Sequence, residues 1–213
     1  MQSSSHKIEI KISDKPVDYN EALFFLENRV QQLISKKKNE LLWILEHNPV
    51  YTKGISAKNT ELIDDKIFPV IETNRGGKFT FHGPGQKVVY VVLDLNIRGK
   101  EIKRFVRNME SMIINILKDL NIKSHADTKN IGIWVNRDNA EEKIAAIGIK
   151  VKKWIVYHGF SLNIKVDKNS YRGIVPCGIS DKGIANVADF IKPLSNIKIN
   201  EIIKNNFFKV FGL

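Results

Sequence analysis

The chain contains a single cysteine, Cys177, set in Gly173-Ile174-Val175-Pro176-Cys177-Gly178-Ile179. Pro176 pushes Val175 into an extended conformation and Gly178 lets the backbone turn directly after the thiol, a spacing that presents the sulfur at the apex of a loop. Lone cysteines are more often inert core residues, but a buried filler needs no such turn. The chemistry to expect is that of a reactive thiol, which needs a cation or a base beside it. Lys143, at the head of Lys143-Ile144-Ala145-Ala146-Ile147-Gly148-Ile149, is one candidate, and His82 and His158 are alternative bases. The plainer account of Lys143 is a solvated strand end following Glu141 and Glu142. With one cysteine there is no intramolecular disulfide and no cysteine-based metal site, and no motif has the spacing of zinc ligands.

Two further segments have compositions that packing alone does not explain. Arg75 to Gln86 holds four glycines and a proline in twelve residues. Glycine allows close approach of backbone to a ligand, and exposed N–H groups near Gly76-Gly77, or after Cys177, could receive a carbonyl oxygen as an oxyanion hole. The competing account is a turn-rich connection; Arg75, Thr80 and His82 tilt the segment toward binding. It is neither a phosphate-cradling P-loop nor a dinucleotide fingerprint. The second segment is Tyr157-His158-Gly159-Phe160-Ser161-Leu162, which, like Ala145, Ala146 and Gly148, sets small residues among large ones and leaves room beside a strand.

These residues must be positioned by ordinary elements. Ile8, Ile10 and Ile12 alternate with charged residues and predict a half-buried strand. Asp18 and Glu21 have the spacing of a capping box, and Ala22, Phe25, Leu26, Val30 and Leu33 predict a helix that ends at Lys36-Lys37-Lys38. Leu41 to Leu45 reads as a buried strand, Val50 to Ile67 as a long loop and Val88 to Leu93 as the most β-prone stretch. Ile102 to Leu120 is the clearest amphipathic helix, with Met109 and Met112 as core residues. Strands follow at Ile131 to Val135, Lys143 to Val151 and Ile155 to Ile164, the last two joined by a tight turn at Lys152-Lys153, and Ile199 to Phe211 closes as a helix. Strands adjacent in sequence, with helices before and after them, favour α+β over a doubly wound α/β fold.

Hydrophobic residues at 43% and charged residues at 27% of 213 are the balance of a folded globular protein. No apolar run approaches the roughly 18 residues of a membrane span, and the polar start carries no secretory signal, so a cytoplasmic protein with no membrane partner is expected. The formal net charge of +11 admits nucleic acid or an acidic protein as partner, but the lysines are scattered and lack interleaved aromatics, which argues against nucleic acid.

Taken together, Leu42-Trp43-Ile44-Leu45-Glu46-His47-Asn48-Pro49-Val50-Tyr51-Thr52-Lys53-Gly54, the Arg75 to Gln86 segment, Gly132-Ile133-Trp134-Val135, Lys143 to Gly148, His158 to Asn163 and Pro176-Cys177-Gly178-Ile179 closely resemble the lipoyl(octanoyl) transferase family, in order over about two-thirds of the chain. The resemblance implies a single α+β domain over residues 1–213, with a mixed β-sheet flanked by helices as in the lipoate and biotin protein ligases. It implies that Cys177 is the acyl-thioester nucleophile and that Lys143 lowers its pKa. Acyl contacts are implied at Arg75, Gly76, Gly77, Lys78, Phe79, Thr80, Phe81 and His82, at Ala146, Ile147 and Gly148, and at Gly159, Phe160 and Ser161. It implies transfer of octanoyl from octanoyl-acyl carrier protein to the acceptor lysine of lipoyl domains, in the 2-oxoacid dehydrogenase complexes and the glycine cleavage H protein. No cofactor is implied beyond the phosphopantetheine arm that delivers the acyl group. Members often carry Val-Thr-Ser shortly after the cysteine loop, where this chain has Ile184-Ala185-Asn186-Val187, so the hydroxyls of that run are missing. An ATP-dependent lipoate or octanoate ligase on the same fold, which needs no reactive cysteine, is the nearest rival, and a non-catalytic lipoyl-domain or nucleic-acid binding protein the next.

Overall fold

The computed structural model describes residues 7–127, 130–175, 182–192 and 194–212; Cys177, with residues 176–181, lies outside them. Helix α1 (Tyr19–Ile34) starts where the Asp18 carboxylate accepts the N–H groups of Asn20 and Glu21 at 2.8 and 3.1 Å, satisfying donors that the first turn leaves free. Helix α2 (Ile102–Asp119) turns Phe105, Met109, Met112, Ile113, Ile116 and Leu117 to one side, and all six are buried. Each such side chain contributes about 1.5–3 kcal/mol. Helix α3 (Asn196–Phe211) is capped by Ser195 and adds Ile199, Ile203, Phe207 and Phe211 to the same core.

The strands, in chain order, are β1 (Ile8–Ile12), β2 (Glu40–Leu45), β3 (Val50–Lys53), β4 (Val70–Glu72), β5 (Phe79–His82), β6 (Gln86–Asp94), β7 (His125–Ala126), β8 (Ile133–Arg137), β9 (Ala140–Lys152), β10 (Ile155–Asn163) and β11 (Gly183–Ile184). Among the described residues they form two sheets. The larger runs β1-β2-β6-β10-β9-β8-β7, with β11 alongside β9; β1 pairs with β2 and β11 with β9 in parallel, and the other pairs are antiparallel. The smaller runs β4-β3-β5. Side chains alternate across the large sheet: Leu42, Ile44, Val89 and Val91 pack under α2 and α3, while Leu41, Trp43, Leu45, Val88 and Tyr90 pack under α1. A mixed sheet with helices on both faces is the α+β architecture that the element order implied.

Four expectations need correction. Strand β1 is an edge strand with Ile10 and Ile12 exposed, because α2 and α3 cover the sheet only as far as Ile8. The expected loop from Val50 to Ile67 opens with β3. The glycine-rich segment contains β5, whose Phe79 and Phe81 join Tyr51, Tyr171 and Ile174 in a third apolar cluster. Strand β8 starts at Ile133, leaving Ile131 exposed.

Candidate active site

Where β5 and the Arg75–Lys78 turn lie against the central strands β6, β10 and β9, they enclose a cavity of about 530 Å³. Of the residues singled out in sequence, Arg75 to Thr80, His82, Ala146 to Gly148, Gly159 to Ser161 and Lys143 line it. Phe81 does not: its ring packs within the third cluster, against Tyr171 and Phe68. Tyr19, Tyr90 and His158 are also in the wall.

The cavity is shaped by close backbone packing. A Cβ at Gly148 would come to 3.1 Å from the Gly76 carbonyl oxygen and 3.2 Å from Arg75 Cδ, so glycine there admits the Arg75-Gly76 turn, and the Gly76 N–H is spent on the Ile149 carbonyl at 3.1 Å. Gly76 therefore does not offer a free N–H for an oxyanion. A Cβ at Gly159 would overlap the Val89 carbonyl oxygen, so that glycine serves strand pairing as well as the cavity wall. The Arg75 guanidinium donates to the carbonyls of Thr52, Gly76 and Lys78 and to Thr52 Oγ1 at 2.6–3.1 Å, and among the described residues it meets no carboxylate. It is a buried cation that ties the turn to β3.

Lys143 sits at one end of this wall, 5% exposed. Its Nζ donates to the Ile131 carbonyl at 3.2 Å and lies 4.6 Å from the centre of the Trp134 ring. Lys182, which also pairs with Glu141, approaches the same ring at 4.5 Å. Among the described residues no carboxylate pairs with Lys143. Its carbonyl accepts the Ala185 N–H at 3.0 Å, which anchors the segment following residues 176–181 to β9. Asn186, in the position of the missing hydroxyl run, accepts the Val166 N–H at 2.9 Å and donates to the Val166 carbonyl at 3.0 Å, so an amide takes a structural role there.

At the other end is a neutral aromatic network. His47 Nδ1 faces the Val17 carbonyl at 2.9 Å and must be its protonated nitrogen, so Nε2 accepts the Tyr90 hydroxyl at 2.8 Å. His82 Nδ1 donates to Gln86 Oε1 at 2.7 Å, since the Gln86 amide is already a donor to Phe81, Asn163 and Tyr171. Burial pushes His47 down to about 4 and His158 to about 3, the latter helped by Arg75 and Lys150, and holds His82 well below its usual range. These rings are neutral at pH 7. His82 and His158 thus stand in the wall as neutral acceptors and donors. No signal in the sequence separated Tyr19 from an ordinary first residue of a helix, or Tyr90 from its β-branched neighbours.

The site thus combines a buried amine with a partly apolar cavity, on a fold that has known precedents. The model of the lipoyl protein ligase A/B catalytic domain matches residues 18–208. Among solved structures, lipoate-protein ligase A bound with ATP superposes with a TM-score of 0.74 at 17% identity, covering 96% of this chain and 85% of that one. The bi-partite lipoate protein ligase of Thermoplasma acidophilum gives 0.73 at 14% identity, over 96% and 84%. This is the lipoate ligase-type catalytic fold.

Sequence narrows the class further. The octanoyltransferase of Wolbachia sp. subsp. Brugia malayi is 42% identical over 96% of this chain and 100% of its own length, and that of Anaplasma phagocytophilum (strain HZ) is 43% identical over 96% and 99%. The chain belongs to the octanoyltransferase family.

Proposed function

We propose that Cys177 carries the octanoyl group as a thioester while Lys143 makes its sulfur reactive, with octanoyl-acyl carrier protein as donor and the lysine of a lipoyl domain as acceptor. The observation that carries this reading is the Lys143 ammonium. It is nearly inaccessible, free of any carboxylate among the described residues, and set in the wall of a cavity able to take an acyl chain. Its strand also anchors the segment that follows the cysteine loop. A cation held in a weakly solvated wall favours thiolate over thiol in a sulfur brought beside it.

The chemistry has two halves. The Cys177 thiolate attacks the donor's thioester carbonyl, the carrier thiolate leaves and takes up a proton, and the acyl group rests on Cys177. The acceptor amine then attacks, the Cys177–acyl bond breaks, and the proton lost by the amine passes through Lys143 or to the departing sulfur. One thioester is exchanged for another and then for a more stable amide, so neither half consumes ATP. The scattered basic surface suits acidic carrier and lipoyl domains, where complementary charge mainly speeds encounter. The reading sets the enzyme in the cytoplasm, where a lone thiol stays reduced. Mixing the protein with octanoyl-acyl carrier protein should give an octanoyl adduct by intact mass that hydroxylamine removes and Cys177→Ser abolishes. Full activity in Cys177→Ser would defeat the reading.

A further inference from the structure

The end of the cavity remote from Lys143 is built for an oxygen atom. Strand register pairs His158 with Ile149, which sets it roughly 20 Å along β9 from Lys143 at about 3.3 Å per residue. His158 is 1% exposed, lines the cavity, and has neither ring nitrogen hydrogen bonded. Its backbone has φ +65°, a left-handed conformation that costs any residue but glycine some energy, although histidine, like asparagine and aspartate, enters it more readily than most. That twist puts its ring beside Tyr157, stacked at 4.9 Å, and near Tyr90, instead of on the opposite face of the sheet where alternation would send it. Two more polar groups stand in the same wall: Arg75 Nε, which has no acceptor, and the Tyr19 hydroxyl, which has Tyr90, Arg75 and Thr73 as polar neighbours. The Tyr90 hydrogen is already committed to His47.

An ordinary alkyl terminus leaves such groups unsatisfied. A buried imidazole with both nitrogens unpartnered, facing a guanidinium that keeps one free N–H and meets no carboxylate among the described residues, calls for a hydroxyl or other oxygen between them. The second nitrogen of His158, neutral at pH 7, can take the hydrogen of a hydroxyl. We infer that this site also accepts acyl chains bearing a hydroxyl at their far end, with Tyr19, Arg75 and His158 as the groups that recognise it. The inference rests on the acyl-transfer reading above and deepens it. The hydroxyl makes and breaks no bond: the same thioester exchange and amide formation carry a hydroxyacyl group, and the carrier thiol is the only leaving group besides Cys177.

The test has a catalytic and a binding arm, both on the full chain. With 8-hydroxyoctanoyl- and octanoyl-acyl carrier protein as donors, kcat/KM for transfer to a lipoyl domain should differ by less than about 10-fold, whereas an apolar pocket rejects an added hydroxyl by roughly 100-fold. Calorimetric titration with 8-hydroxyoctanoate and octanoate should give the same small ratio. Tyr19→Phe, and His158→Asn, which tolerates the positive φ, should each shift that ratio against the hydroxylated ligand by roughly 3- to 10-fold. A wild-type discrimination of 100-fold or more, or a ratio that neither variant moves, overturns the inference. A chain that binds both acids alike but transfers neither acyl group would support the site while sinking the catalytic reading.

Discussion

An ammonium that is 5% exposed must be held by something other than water. For Lys143 the holders are one carbonyl and one indole face, and both depend on local backbone. Gly132, at φ +142°, packs so closely that a Cβ there would come to 3.1 Å from Lys143 Cε and 2.9 Å from the Ala145 carbonyl oxygen. Trp134 is fixed in turn by its Nε1, which donates to the Asn130 carbonyl at 2.9 Å. Lys143→Met keeps the stem against the ring and deletes only the charge and the donor, so it separates chemistry from packing. Stability should change by about 1 kcal/mol, the net worth of the lost hydrogen bond. Transfer at pH 7 should fall at least roughly tenfold and recover as pH rises toward the ordinary thiol value of ~8.5, because the thiolate must then form without help. A variant with an unchanged pH–rate profile would refute the assigned role.

At the scale of elements, what the sequence disclosed and what it hid have separate physical causes. Helix α2 was legible because its apolar stripe is set by a period that no other structure shares. Strand β5 was not, since a four-residue strand between Gly77 and Gly83 leaves too few alternations to outweigh its turn-rich flanks. Strands β7 and β11, of two residues each, carry no pattern at all. In the site, local composition pointed to the Arg75 turn and to Ala146–Gly148. It could not reveal that His158 turns to the cavity, because that depends on a positive φ in mid-strand. Nor could it show that Gly159 admits a neighbouring carbonyl, a fact of the β6–β10 pairing. Gly159→Ala would force these two central strands apart. Overpacking of this kind costs about 1–3 kcal/mol. Urea unfolding should show the midpoint falling by that equivalent with the slope unchanged, and a midpoint equal to wild type would remove the packing argument.

Across the whole molecule, surface and interior respond to protons in different ways. The formal net charge is +11, which acid conditions increase, while the interior keeps His47, His82 and His158 uncharged. An unfolded histidine titrates near ~6.5, and the folded values lie lower, at about 4 for His47 and about 3 for His158. Between those limits the unfolded chain binds more protons than the folded one, so stability is fully present above pH ~6.5 and is lost as pH falls. Carboxylates held low by their partners, Glu9 by Arg29 and Glu141 by Lys182 and His125, act the same way but only below their own ordinary value of 4.5. The interval from pH 6.5 to 5 therefore belongs to the histidines, each contributing a slope of about 1.4 kcal/mol per pH unit once its unfolded form is fully protonated. Urea unfolding from pH 7.5 to 5.0 should show stability falling with up to three such slopes combined. In His158→Asn one share of the slope should vanish, whatever the variant does to stability at pH 7.5. Equal unfolding free energies at pH 7.5 and 5.0 in the wild type would mean that these rings protonate in place, and that the end of the cavity is not the dry, neutral wall described.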